Sequence, residues 1–280
     1  MTLGPCVMTT STFSVPQTRA GFGTPDTAYW LLRFGAALCF IGHGAFGFIT
    51  KAAWIPYFAV VGVPATWAWK LMPLIGAVDV LAAMAVLFAP RGLPLLYMAL
   101  WATWTALLRP LAGESVWEAV ERAGNYGVPL ALLVMTGMPR SLHDLRRTRL
   151  DLDVVESAVA RVCVVLRWTT AALLFGHGAL AALTSKATLV AHYAAIGLSP
   201  RAVIVVGFVE MAAAIALAIR PSIRLLVVIG VWKLASESLW MVTGAPVWEF
   251  VERAGSYVAP LALAALLAWQ ASRNTGREVT

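Results

Sequence analysis

Eight apolar stretches, each bounded by proline, glycine or charge, follow one another between Ala28 and Ala268, and few folds are open to such a chain. They run from Ala28 to Thr50, Trp67 to Ala89, Leu93 to Leu108 and Trp117 to Met138. The second four run from Val162 to Thr184, Ala202 to Ile219, Leu225 to Met241 and Val247 to Ala268. A helix of about 20 apolar residues crosses the hydrocarbon core of a bilayer, and in lipid only helices or closed barrels pair every backbone polar group. Charged residues make up 12% of the chain against 60% apolar, where a soluble domain carries roughly 25% charged. The pattern therefore predicts an all-α, polytopic membrane protein with eight transmembrane helices. It excludes a soluble enzyme, a disordered chain and a receptor with a large ectodomain. The segments Trp54 to Phe58 and Val190 to Ala195 read as short interfacial helices.

The net charge of +7 is an orientation signal here, not a nucleic-acid one, because the basic residues cluster between apolar stretches. Thirteen arginines fall on one side, against Lys51, Lys70, Arg109, Lys186 and Arg201 on the other. That bias puts both termini in the cytoplasm of an inner or plasma membrane. The chain then divides into a flexible cytoplasmic tail (1–27), a first four-helix repeat (28–138), a basic cytoplasmic linker (139–157), a second four-helix repeat (158–270) and a cytoplasmic tail (271–280). The tail lacks the apolar core of a signal peptide. Cys6, Cys39 and Cys163 form no CxxC, so neither a disulfide framework nor a thiolate metal site is expected, and Cys39 reads as core.

The two halves repeat each other. Phe40 to Lys51 corresponds to Leu174 to Lys186, and Ile75 to Leu87 corresponds to part of Val205 to Ile219. Trp117 to Leu132 (WEAVERAGNYGVPLAL) matches Trp248 to Leu263 (WEFVERAGSYVAPLAL) at twelve of sixteen positions. Four spans per half give both halves the same orientation, which predicts a pseudo-two-fold axis along the membrane normal.

Ionisable groups inside a membrane usually face a bundle interior or a water-filled cavity. Glu118, Glu121, Arg122, Asn125 and Pro129 fall on one face of a continuous helix, and Glu249, Glu252, Arg253, Ser256 and Pro260 repeat that stripe. Such a stripe is either an ion-pair lattice holding helices together or the lining of a binding cavity. His43 and His177 each sit between glycines, which lets a neighbouring backbone or a flat ligand come close. At 1.5 Å per residue His43 lies roughly 10 Å and Asn125 about 12 Å below the outer ends of their spans, with Asp79 and Glu210 about 18 Å down. Each half thus holds a histidine, a deep acid and an acid–arginine stripe, a combination suited to proton relay or quinone hydrogen bonding. A haem held between His43 and His177 is a more demanding alternative, and a histidine bonded to a neighbouring helix is the plain one. Lys233 and Glu237 align with Ala102 and Ala106, so this pair belongs to the second half alone. Most of the 12 tryptophans read as an aromatic belt, with a ring-stacking pocket as the alternative.

The chain resembles the DoxX-type four-helix membrane family, present here twice. The resemblance rests on the glycine-flanked histidine followed by lysine (His43 with Lys51, His177 with Lys186) and on the G-x-x-acid run of the second span (Gly76 to Asp79, Gly207 to Glu210). It implies a quinone-adjacent or accessory subunit of a membrane redox assembly. The expectation is a multi-pass subunit binding a quinone or small reductant in outward-facing pockets. His43, His177, Asp79 and Glu210 would move protons while the two stripes, Lys233 and Glu237 hold the ligand. Whether the chain is itself an enzyme stays open. The partners would be lipid and other membrane redox subunits, with no nucleic acid and no metal. A transporter of a small polar solute and a non-catalytic scaffold subunit are the rivals. No mid-depth pair of broken helices is legible beyond Pro129 and Pro260, which counts against transport.

Overall fold

The computed structural model describes residues 23–146 and 152–277, and the described residues form helices and turns with no strand. Most of the expected 1–27 tail, the centre of the 139–157 linker and the last three residues lie outside them. The helices are α1 (Pro25–Phe48), α2 (Ile55–Val60), α3 (Ala65–Phe88), α4 (Gly92–Leu111), α5 (Val116–Glu121), α6 (Ala123–Met135), α7 (Leu152–Ala182), α8 (Ala187–Ala194), α9 (Pro200–Ile219), α10 (Ile223–Val242), α11 (Val247–Glu252) and α12 (Ala254–Arg277).

Among the described residues, six segments are long and apolar enough to cross a membrane: Pro25–Phe48, Ala65–Phe88, Ser157–Ala182, Pro200–Ile219, Ile223–Val242 and Val247–Thr275. That is the pattern of a multi-pass membrane protein. Two of the eight expected spans differ from it. Helix α4 has the length, but its two tryptophans, two threonines, Tyr97 and Arg109 dilute its apolar character. The expected fourth span is divided at Arg122, where ψ turns to 12° and leaves six residues in α5 and 13 in α6. The same break falls at Arg253 between α11 and α12. The acid–arginine stripes are therefore not faces of continuous helices, as the spacing suggested.

Local chemistry sets the helix ends. Thr24 caps α1 by accepting from Thr27 N at 3.1 Å, with Pro25 in the first turn. Buried Arg33 reaches the end of α3, donating through Nε to Val86 O at 2.8 Å and through Nη2 to Leu87 O. Arg167, at the aligned position in α7, donates to Ala218 O and Ile219 O at the end of α9. Both arginines satisfy carbonyls that a helix C-terminus leaves unpaired.

Helix α1 packs on α3 and on α11–α12, while α7 packs on α9 and on α5–α6; α4 covers α6, α10 covers α12, and α6 meets α12. The leading helix of each half thus lies against the divided helix of the other. Burial follows this order: 61% of the apolar window in α1 and 67% in the α11–α12 segment are buried, against 33% in α3 and 28% in α9. The outer helices show Leu81, Phe88, Val205 and Val209 to the surroundings, an apolar surface that fits lipid. The inner ones share a core that includes Leu32, Phe40, Leu132, Leu166 and Leu263, with Cys39 among them as expected.

Candidate functional site

Each glycine beside a histidine makes room for a different neighbour. A Cβ on Gly42 would fall on the backbone nitrogen of Glu252 and 2.7 Å from its Cα. One on Gly44 would lie 2.8 Å from Gly76 O in α3. Gly176 and Gly178 meet Glu121 and Gly207 in the same way. The side chain between them is therefore held among three helices. His43 Nδ1 lies 2.7 Å from Asp79 Oδ2, and His177 Nδ1 lies 2.7 Å from Glu210 Oε2. Counting residues put the acids a good deal deeper than the histidines, but they stand level with them. The first turns of α3 project past the end of α1, so that Gly47 packs against Met72 and Gly76.

The two couples differ in their second partner. Asp79 Oδ1 accepts from Tyr97 Oη at 2.8 Å, whereas Glu210 Oε1 accepts from Trp232 Nε1 at 2.6 Å. Trp101 aligns with Trp232, yet the shorter aspartate does not reach it, and its buried Nε1 has no hydrogen-bond partner. Trp54 lies on the His43 ring, with centroids 4.5 Å apart and planes inclined by 27°.

The stripes are exchanged between halves. After Thr50 (φ 53°) and Ser185 (φ 47°), both in the left-handed region that non-glycine residues rarely adopt, the chain turns and sends a lysine across. Lys51 Nζ lies 2.5 Å from Glu249 Oε1, and Lys186 Nζ lies 2.6 Å from Glu118 Oε1. Arg122 Nη1 holds Glu118 at 3.0 Å and Glu121 at 3.1 Å. Arg253 Nη1 holds Glu249 at 2.5 Å. The expected pocket within each half is thus corrected: a histidine and its acid belong to one half, and a glutamate of the other half's stripe, Glu252 at Gly42 and Glu121 at Gly176, joins the charges around them. The reason is the contact of α1 with α11 and of α7 with α5, which residue spacing along one helix does not encode.

In the second half, donor atoms of Glu121, His177 and Glu237 all lie within 4.8 Å of one another. Three such ligands suit a cation, and the chain supplies that charge itself. Lys233 Nζ stands 2.8 Å from Glu237 Oε1, off the line of a hydrogen bond. Arg253 Nε stands 3.4 Å from Glu237 Oε2, and Ser256 Oγ donates to Oε1 at 3.2 Å. Where α6 and α12 meet, Gly124 and Gly255 are in backbone contact. A small void of about 10 Å³ beside them is lined by Glu121, Arg122, Asn125, Glu237, Glu252, Arg253 and Ser256, enough for roughly one water.

In the first half a larger cavity, about 120 Å³, reaches His43. Its walls are aromatic: Phe40, Trp54, Tyr57, Phe58, Trp101 and Trp104. Its polar groups are His43, Arg109, Arg122, Asn125 and Glu252, the last from the other half. Val61 and Trp104 are exposed at its rim. His43 and Asn125 line this one cavity. The tryptophans divide between both readings: Trp67 and Trp69 are exposed, whereas Trp54, Trp101 and Trp104 line the cavity. Tyr57, Tyr97, Trp101 and Arg109 were not among the expected site residues. The one sequence signal for Tyr57 is the aromatic IPYF run, which read only as interfacial.

Outside the spans, burial and neighbouring charge act on three groups. Burial works to raise the Glu114 carboxyl, but the hydrogen bond from Tyr57 and the charge of Arg109, 3.0 Å away, hold it below the usual carboxylate range. Burial pushes the Tyr57 phenol up. His192, aligned with Tyr57, is lowered by burial and then by the charge of Arg253. Comparison of the chain with protein-family models, with curated proteins and with solved structures finds no match, so this geometry is what a functional reading rests on.

Proposed function

We propose that the chain is an eight-span membrane protein of two parallel four-helix repeats, with cytoplasmic termini, that binds the ring of a quinone in its first-half cavity as part of a membrane redox assembly. The resemblance to the DoxX-type family supports the same reading. The observation that carries it is an aromatic cavity ending on a histidine–carboxylate couple, beside a buried indole N–H without a partner. An apolar cavity of about 150 Å³ holds benzene, so 120 Å³ suits a single six-membered ring, with any tail leaving past Val61 and Trp104. A bound quinone supplies two-electron, two-proton chemistry. Asp79 fixes His43 with a proton on Nδ1; Nε2 would accept a hydrogen bond from a ring hydroxyl of the reduced quinol and, when protonated, would donate one to a carbonyl oxygen of the quinone. Trp101 Nε1 donates to a ring oxygen, and Arg122 with Glu252 balances charge at the inner end.

The test is titration of a decyl-substituted benzoquinone into the protein in nanodiscs, read by tryptophan quenching. The expected result is one saturable phase, weakened at least tenfold in His43→Ala and abolished in Ala102→Trp, which fills the cavity. Non-saturable quenching, identical in all three proteins, overturns the proposal.

The paired helix breaks at Arg122 and Arg253 favour a second reading, transport of a small polar solute, since interrupted helices at matched positions mark many transporter sites. It predicts solute uptake by proteoliposomes, eliminated by Arg122→Met with Arg253→Met.

A further inference from the structure

We infer that the chain carries one open ring-binding site and one that it fills itself: Lys233 and Glu237 occupy, in the second half, the space that Ala102 and Ala106 leave free in the first. The inference rests on the proposed ring site and adds its stoichiometry.

The framework around the two places corresponds closely. The histidine–acid distance is 2.7 Å in each, the crossing lysine–glutamate distances are 2.5 and 2.6 Å, and Trp101 aligns with Trp232. Around this frame most bulky residues stand opposite bulky residues. Leu189 answers Trp54, His192 answers Tyr57, Tyr193 answers Phe58 and Trp240 answers Arg109. At the exposed rim the change runs the other way, Trp104 being answered by Ala235; in the interior the large gain in volume falls at Ala102, which lines the open cavity, and at Ala106 one turn on. Lys233 is 1% exposed and Glu237 3%, so both side chains fill interior space. Each is four non-hydrogen atoms longer than alanine, together on the order of 100 Å³ at interior packing density. The open cavity is of that same order, 120 Å³.

The pair also supplies the polar contacts that a ligand would otherwise make. Glu237 receives Ser256 Oγ and faces Arg253, and its carboxylate is one of the donor group that includes His177 and Glu121. Tyr193, stacked on Trp232 with planes 11° apart, closes the aromatic wall. A buried, mutually neutralising Lys–Glu pair is costly to open, because withdrawing either partner leaves the other charge unpaired away from water. The second site therefore stays shut without any moving lid.

The experiment is stoichiometry of the same decyl-substituted benzoquinone by equilibrium dialysis against the full-length protein in nanodiscs. The wild-type chain is expected to bind one equivalent. Lys233→Ala with Glu237→Ala is expected to bind two, the second within about tenfold of the first in affinity. Lys233→Met with Glu237→Gln, which removes charge but keeps volume, stays at one. The reverse graft, Ala102→Lys with Ala106→Glu, falls to none. A wild-type stoichiometry of zero refutes the ring site itself and leaves this inference without a basis. One equivalent in the wild type with one still bound by the alanine pair, or with one still bound by the graft, overturns the inference alone. So does a wild-type stoichiometry of two.

Discussion

Trp101 and Trp232 occupy aligned positions but have different fates, so one substitution made at both separates a bond from its surroundings. Replacing either indole by phenylalanine removes the same atoms and leaves a void of similar size, a cost common to both variants. In Trp232→Phe the 2.6 Å bond from Nε1 to Glu210 Oε1 is lost as well. A hydrogen bond to a buried carboxylate contributes about 1.5–3 kcal/mol. In Trp101→Phe no bond is lost, because Nε1 is buried and unpartnered, and deleting an unsatisfied donor relieves its desolvation penalty. The two variants should therefore differ by about 2 kcal/mol, or ~4–8 °C in Tm at roughly 2–4 °C per kcal/mol. The assay is loss of helical circular dichroism in nanodiscs at a single scan rate. Quinone binding should reverse the order: Trp101→Phe loses about fivefold in affinity, the worth of one neutral hydrogen bond of ~1 kcal/mol, while Trp232→Phe loses none. Equal Tm values, or a lower Tm for Trp101→Phe, would refute the assignment of the two indoles.

Further predictions concern the frame around the site. Gly42→Ala pushes a methyl group into the Glu252 backbone, which cannot rotate away, and should cost about 1–3 kcal/mol. Gly92→Ala, whose new Cβ would meet Leu145 at an ordinary 3.4 Å, should leave Tm within error of the wild type. Arg253→Met strips both Glu237 and Glu249 of a cation and should cost about 3 kcal/mol in thermal or urea unfolding. Lys51→Met, partly solvated and leaving Glu249 its bond to Arg253, should cost about 1 kcal/mol or less. Because burial and Arg253 lower the His192 pKa, the folded state binds this proton less readily than the unfolded chain does. Its contribution is then complete above its ordinary 6.5 and declines as the pH falls through the interval below that value. Wild-type Tm should drop more between pH 7.5 and 5.5 than that of His192→Gln, and parallel curves would exclude the linkage.

Composition and apolar run length alone were enough to place this chain in the class of helical membrane proteins, because lipid offers no partner to an unpaired backbone group. The sequence also marked the chemistry. His43, Asp79, Arg122 and Glu252 stand out as polar groups in apolar surroundings, and the glycines around the histidines announced close approach. Residue spacing could not reveal that the helix divides at Arg122, since the same i,i+3 and i,i+4 pattern fits a continuous helix and a divided one. Nor could it give the depth of Asp79, which follows from how far α3 slides past α1.

The pairing of charges is the clearest case of what tertiary structure alone decided. An i,i+4 spacing makes Glu118 and Arg122 partners on any helix, and they are partners here at 3.0 Å. That Glu118 also takes Lys186 at 2.6 Å, from the other half, depends on α7 lying against α5. Local periodicity reports which residues share a face of one helix. Which face meets which is set by the packing of all the helices at once, through small residues such as Gly42 and Gly176, and only that packing opens a cavity in one half where Lys233 and Glu237 fill the other.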